Sequence, residues 1–179
     1  MQKSLIKEIF TSIQGEGPYV GEKHIFVRFL GCNLNCKFCD TDFSPLNSSE
    51  YTTQSLFNYL KPIDCTTISF TGGEPLLSSE FLVEFLGNYK EKLNKKIYLE
   101  TNGTLYKELE KIVDFVDIIA LDIKLQSATG QKNRFLDNLQ FLEIAKKKEN
   151  FIKIVFDENI TDDEIKEVIK IAKKFNSLI

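Results

Sequence analysis

The sequence predicts an α/β fold: an incomplete, splayed TIM-like barrel of about six mostly parallel strands with crossover helices. Short apolar and β-branched runs recur along the chain, and between them lie stretches with apolar residues at three- and four-residue spacing. Strand followed by helix, repeated, gives parallel strands joined by right-handed crossovers. The 179 residues hold five or six such units, too few for the eight-stranded barrel of about 250 residues. No repeat, low-complexity tract or linker divides the chain, so residues 1–179 read as one domain around one core.

In order, Leu5 to Phe10 reads as a short opening strand and His24 to Leu30, dense in β-branched and aromatic residues, as the next. A helix is expected over about 53–60, then a strand from Thr67 to Thr71 with alternating polarity, and a helix over 80–93. The strand Ile97 to Thr101 precedes a helix over 105–114, and Asp117 to Ile123 precedes one over 134–148. Phe151 to Phe156 is the last long strand. The final helix, 162–175, opens on Thr161-Asp162-Asp163-Glu164, a capping box. Lys146 to Lys148 and Lys173-Lys174 sit near helix C-termini, where they complement the dipole. After that helix, Leu178-Ile179 reads as the first two residues of a further strand, so the chain is expected to be truncated there.

Composition narrows the function classes. A net charge of −3 and a pI near 5.4 supply no basic face for phosphates, which argues against nucleic acid. No segment approaches the roughly 18 uninterrupted apolar residues of a membrane span, and Lys7 and Glu8 fall where a signal peptide would be apolar. Four cysteines, three of them within eight residues, suit a reducing compartment, and a cytoplasmic location is expected.

Those three, Cys32, Cys36 and Cys39, lie on the loop that directly follows the His24 to Leu30 strand. Thiolates this close can ligate three irons of a [4Fe-4S] cubane and leave the fourth iron without a protein ligand. An open iron can chelate the amino and carboxylate groups of S-adenosylmethionine (SAM) and pass an electron to its sulfonium. The alternative is structural zinc, which needs a fourth ligand. Cys65 or His24 would have to supply it, but Cys65 reads as a small buried hydrophobe and His24 as structural.

The spacing Cys-x-x-x-Cys-x-x-Cys, with the aromatic Phe38 before the last cysteine, resembles the radical SAM superfamily. Thr71-Gly72-Gly73-Glu74-Pro75, after the next strand, resembles its second hallmark. The resemblance implies reductive cleavage of SAM to a 5'-deoxyadenosyl radical. It also implies SAM contacts at Phe38, Cys39, Asp40, Gly73 and Glu74, the last holding the SAM amino group. Further SAM contacts are implied at Asp122, Ile123 and Lys124 and at Lys153, Ile154, Val155 and Phe156. Asp122 departs from the Ser that many members carry.

Phe10 to Gly17, then Gly21, Phe26-Val27-Arg28 and Cys39-Asp40-Thr41 are similar to the 7-carboxy-7-deazaguanine synthase family. That resemblance implies conversion of 6-carboxy-5,6,7,8-tetrahydropterin to 7-carboxy-7-deazaguanine with loss of ammonia, on the path to queuosine and related 7-deazapurines. It implies a homodimer, a one-electron donor such as flavodoxin or ferredoxin, and a Mg2+ ion held by Thr41. Relatives continue past residue 179 into a strand ending in Gln-Pro against the substrate. The residues suit a pterin: Gln14, Glu16 and the backbone of Ile13 and Gly15 can read its donors and acceptors, Arg28 its carboxylate, and Thr71 its edge. For proton transfer, Glu16 and Glu100 are the candidates. Two other readings stand beside this one, a small radical SAM activase of glycyl-radical proteins and a non-catalytic iron-sulfur or zinc module.

Overall fold

In the computed structural model, which describes residues 1–179, one seven-stranded sheet carries helices on its convex face. The strands are β1 Lys3–Ile13, β2 Lys23–Phe29, β3 Ser49–Thr52, β4 Thr67–Gly72, β5 Lys96–Thr101, β6 Ile118–Ile123 and β7 Glu149–Ile154. The order across the sheet is β3-β1-β2-β4-β5-β6-β7, and it does not close. From β2 to β7 every pairing is parallel, as repeated crossovers require. The helices are α1 Thr53–Leu60, α2 Ser79–Leu93, α3 Tyr106–Ile112, α4 Gln126–Thr129, α5 Phe135–Ala145 and α6 Asp162–Phe175.

The periodicity located every long element, and the differences have physical causes. β1 runs longer than Leu5 to Phe10 because it pairs antiparallel with β2 as far as Ile13↔Lys23 and with β3 on its other side. β3 itself was not expected: Ser-Glu-Tyr-Thr has no apolar alternation, and only pairing with β1 makes it a strand. β7 begins and ends two residues before the expected Phe151 to Phe156, so Val155 and Phe156 leave the sheet into an exposed segment. Leu178 makes one parallel bridge to Phe151, and its carbonyl accepts from Ile152 N. The capping box at Thr161 and Glu164 forms in both directions.

Alternation along the parallel strands divides the side chains. Ile25, Val27, Phe29, Ile68, Phe70, Ile97, Leu99, Ile119, Leu121 and Ile152 point toward the helices and join one 33-residue core. A chain of edge-to-face and stacked rings, Phe29, Phe70, Phe81 and Phe85, fills its centre. The opposite, concave face carries His24, Ser69, Tyr98 and Phe151 near the amino ends of the strands and Arg28, Thr71, Glu100, Asp122 and Lys153 near their carboxyl ends. No helix is long and apolar enough to cross a membrane. Phe85, fully buried between Phe70 and Phe81, is expected to cost about 3–5 kcal/mol of stability when replaced by Ala, read from urea unfolding.

Candidate active site

Strand ends and their loops build the site. The Cys32–Cys39 loop leaves β2, and the Gly72-Gly73 turn leaves β4 directly beneath it. Gly73 N donates to Phe29 O at 3.2 Å and Glu74 N to Gly31 O at 2.9 Å, so the two loops are joined through backbone. They approach so closely that a Cβ on Gly73 would lie 2.1 Å from Gly31 O, and one on Gly72, at φ +128°, 2.3 Å from Phe29 O. Only glycine fits at either position.

One cavity of about 300 Å³ opens above this junction. Cys32, Cys36, Cys39, Phe38, Asp40, Thr41, Thr71, Gly73, Glu16, Arg28, Glu100, Asp122, Lys124 and Lys153 line it, so three thiols and most of the expected polar side chains share one space. Burial pushes the Cys32 and Cys36 thiols up, so metal binding there would release protons. Cys65 lies at the other end of the strands, donating its S–H to Lys23 O at the start of β2, and His24 is beside it at the same end, fully buried with Nδ1 2.7 Å from Ser69 Oγ. Both are separated from the cysteine loop by the length of β2, roughly 20 Å for seven residues. Neither can complete a zinc site. The three thiols border one cavity without being drawn together around a single metal position, and with no fourth cysteine beside them this donor set suits a cubane that keeps one iron open.

Several expected contacts are placed elsewhere. Glu74 is fully buried beneath the cavity. Its Oε1 accepts from Leu76 N (3.1 Å) and Thr101 Oγ1 (2.8 Å), and its Oε2 from Asn102 N (2.8 Å). The carboxylate therefore braces two loops. Gln14 is likewise buried, with Nε2 donating to Glu100 Oε1 at 2.9 Å and Oε1 accepting from Glu16 N at 3.1 Å. It holds the Glu100 carboxylate and the Glu16 backbone from below. Ile13 and Gly15 are exposed and do not line the cavity. Ile123 points into the core. Ile154 and Val155 border an adjoining cleft, and Val155 and Phe156 flank a third with Lys37 and Phe38.

Lys153 also changes company. Its Nζ lies 2.7 Å from Glu16 Oε2 and 3.7 Å from Glu100 Oε2, and Thr71 Oγ1 donates to Glu100 Oε2 at 3.3 Å. Burial opposes the Lys153 charge, but Glu100 and Glu16 outweigh it and hold its ammonium above the usual lysine range. The same hydrogen bond holds Glu16 below the usual carboxylate range. Arg28 donates Nε to Glu8 Oε1 at 2.7 Å and lies over the Phe10 ring, which fixes its fork at the cavity wall. Lys124 pairs with Asp122 at 2.7 Å and sits over the Phe38 ring. Sequence reasoning missed Asn102, which lines the cavity next to Glu100 and bonds both Asn33 and Cys32. The Asn-Gly turn at the end of β5 was its signal.

A model of the radical SAM superfamily matches residues 26–174. The chain is 37% identical to 7-carboxy-7-deazaguanine synthase of Geobacter sulfurreducens over 96% of this chain and 77% of that one. It is also 37% identical to the enzyme of the same name from Thermoplasma acidophilum, over 84% of this chain and 69% of that one. This chain belongs to the 7-carboxy-7-deazaguanine synthase family of the radical SAM superfamily. The crystal structure of QueE from Escherichia coli has the same fold, with a TM-score of 0.57 at 17% identity over 98% of this chain and 92% of that one. Membership in the synthase family brings a [4Fe-4S] cluster and SAM with it, and the cysteine loop and glycine cradle fit both.

Burial raises the Glu74 carboxyl to about 7, against the pull of its Asn102 and Leu76 amide donors. A folded-state value above the unfolded one means that its stabilising contribution is complete below about 4.5 and is lost as pH rises through about 7. Chemical unfolding should show a decline on the order of 3 kcal/mol across that window, flattened in Glu74→Gln. An unchanged slope in the variant would assign the decline to other groups.

Proposed function

We propose that this chain is a 7-carboxy-7-deazaguanine synthase, a carbon-nitrogen lyase that converts 6-carboxy-5,6,7,8-tetrahydropterin to 7-carboxy-7-deazaguanine with release of ammonia. The observation that carries the proposal is the single cavity that Cys32, Cys36 and Cys39 share with Glu16, Arg28, Thr71 and Glu100. An electron carrier needs no polar floor beside its cluster, and an activase of a large protein needs no enclosed pocket for a flat polar ring.

Cys32, Cys36 and Cys39 would hold the cluster, which together with SAM supplies a hydrogen-abstracting radical. The protein's own part is placement and proton control. Gly72 and Gly73 keep the cavity wall thin, so that a ligand can approach backbone. Phe38 and Lys124 form a side wall beside the thiols. On the floor, Glu100 is held by Gln14 and Thr71, and Glu16 by Lys153; these carboxylates accept from the N–H groups of a pterin edge. Lys153 carries a proton between Glu16 and Glu100, positioned to give it to a departing amine, while Glu100 can take one from carbon. Arg28, the register neighbour of Thr71, supplies a fork for the substrate carboxylate beside that floor.

Thr41 lines the same cavity next to Asp40 and offers a neutral oxygen, so Mg2+ would bind there chiefly when the substrate carboxylate completes its ligands. A homodimer, a cytoplasmic location and reduction by a flavodoxin or ferredoxin complete the proposal.

Anaerobically reconstituted protein given reductant, SAM and the pterin should form 7-carboxy-7-deazaguanine. Cys32→Ala, Cys36→Ala and Cys39→Ala should each lose the cluster absorbance, and Cys65→Ala should keep it. Equal loss in the Cys65 variant would sink the three-thiol assignment. Arg28→Ala should raise the KM for the pterin about 10-fold or more, the scale of one charge-assisted contact, while SAM cleavage without pterin persists. Mg2+ should stimulate turnover, and Thr41→Ala should blunt that response; full activity after removal of all Mg2+ would contradict the metal assignment.

A further inference from the structure

Asn33, Asn102 and Thr104 close a ring of hydrogen bonds beside the first cysteine. Asn33 Nδ2 donates to Thr104 Oγ1 at 2.8 Å, Thr104 Oγ1 to Asn102 Oδ1 at 2.6 Å, and Asn102 Nδ2 to Asn33 Oδ1 at 2.9 Å. The bonds run in one direction, so each polarises the next, and both amide orientations follow from the hydroxyl between them. Thr104 N adds a second donor to Asn102 Oδ1 at 3.0 Å.

The backbone around the ring is fixed as well. Asn102 N is held by Glu74 at 2.8 Å, and Asn138 Nδ2 donates to the carbonyls of Asn102 and Gly103 at 3.2 and 3.0 Å. A side chain at Gly103, at φ +66°, would meet Leu121 and Asn138, so the turn cannot shift outward. Asn102 is 5% exposed and Thr104 9%, and water offers their ring little competition.

One amide proton of Asn102 is left over after the ring closes, and Nδ2 stands 3.9 Å from Cys32 Sγ. Leu34 N donates to the same sulfur at 3.4 Å. N–H donors aimed at a cysteine sulfur favour added negative charge on it, and hydrogen bonds to sulfurs are among the terms that set a cluster's potential.

We propose that Asn102 is a positioning residue for Cys32, held by the Asn33–Thr104 ring so that its amide proton stabilises the reduced state of the cluster. The inference rests on the three-cysteine cluster described above. It makes the end of β5 part of the electron-accepting machinery, alongside its carboxylate Glu100 that faces the substrate side of the cavity.

The test is an EPR-monitored redox titration of the reconstituted protein without SAM or pterin, which reads the cluster independently of turnover. Asn102→Leu should shift the midpoint downward by about a tenfold change in the reduced-to-oxidised ratio, 59 mV for a one-electron couple. Asn102→Asp, which puts an anionic oxygen beside the sulfur, should shift it further in the same direction. Thr104→Val, which opens the ring but leaves the Asn102 amide in place, should give a smaller downward shift, and Thr104→Ser should restore the original value. Should Asn102→Leu assemble no cluster, the Thr104 pair decides: a shift in Val with recovery in Ser supports the inference, and no shift in Val overturns it. Unchanged midpoints in cluster-loaded Asn102→Leu and Asn102→Asp overturn it directly. Absence of a [4Fe-4S] signal in the unsubstituted protein would instead overturn the cluster assignment on which the inference stands.

Discussion

The buried carboxylate of Glu74 is the fixed point between three strand ends. From the turn after β4 it accepts from the end of β5 at Thr101 and Asn102 and from its own turn at Leu76, while its backbone N–H holds the loop that leaves β2. Parallel strands converge but their loops do not pair by themselves, because the ladder hydrogen bonds stop where the strands stop. A carboxylate with several lone pairs can satisfy amide groups from two loops at once, which an apolar residue of the same size cannot do. Desolvation makes that arrangement costly, as the raised pKa of Glu74 records, yet the fully satisfied network locates the cysteine loop over the glycine cradle.

Charge on the concave face is arranged in close pairs, although Asp122 Oδ1 is buried without a hydrogen-bond partner. Glu16, Glu100, Asp122, Arg28, Lys124 and Lys153 line one cavity with Glu8 at its edge, and four of the contacts are close pairs: Lys153 with Glu16, Lys153 with Glu100, Lys124 with Asp122, and Arg28 with Glu8. Pairing holds the Glu16 carboxyl below the usual carboxylate range and the Lys153 ammonium above the usual lysine range. It also keeps acceptors and donors within reach of a ligand that carries a carboxylate, ring N–H groups and a leaving amine. Below that layer His24, Ser69, Tyr98 and Phe151 are buried and close the amino-terminal end of the same face against solvent.

Much of this was legible one residue at a time. The cysteine spacing, the Gly-Gly-Glu-Pro turn and the Gln14 to Gly17 segment are local patterns, and local patterns specify which groups stand at a strand end. Partner choice was less legible. Glu74 and Gln14 were expected to touch ligands, because a sequence shows that a carboxylate or an amide is present at a loop but not which way its side chain turns. Both turn inward, where unpaired backbone amides and a second carboxylate compete for them more strongly than solvent does. Lys153 was expected to act with Ile154, Val155 and Phe156, but alternation along β7 sends it to the concave face and Ile154 to the core.

The sequence alone determined the parallel α/β architecture, because the 2.0 and 3.6 periodicities and the strand-helix alternation are written in the chain. It also marked the cysteine loop, because three cysteines within eight residues need no distant partner to stand together at a strand end. Tertiary structure decided what lies far apart in the chain. β3 exists only because β1 pairs with it, and Asn33 meets Asn102 and Thr104 only because β2 and β5 end on the same side of the sheet. Contacts across about 70 residues depend on strand order and register, and these are fixed when the whole apolar face is buried together.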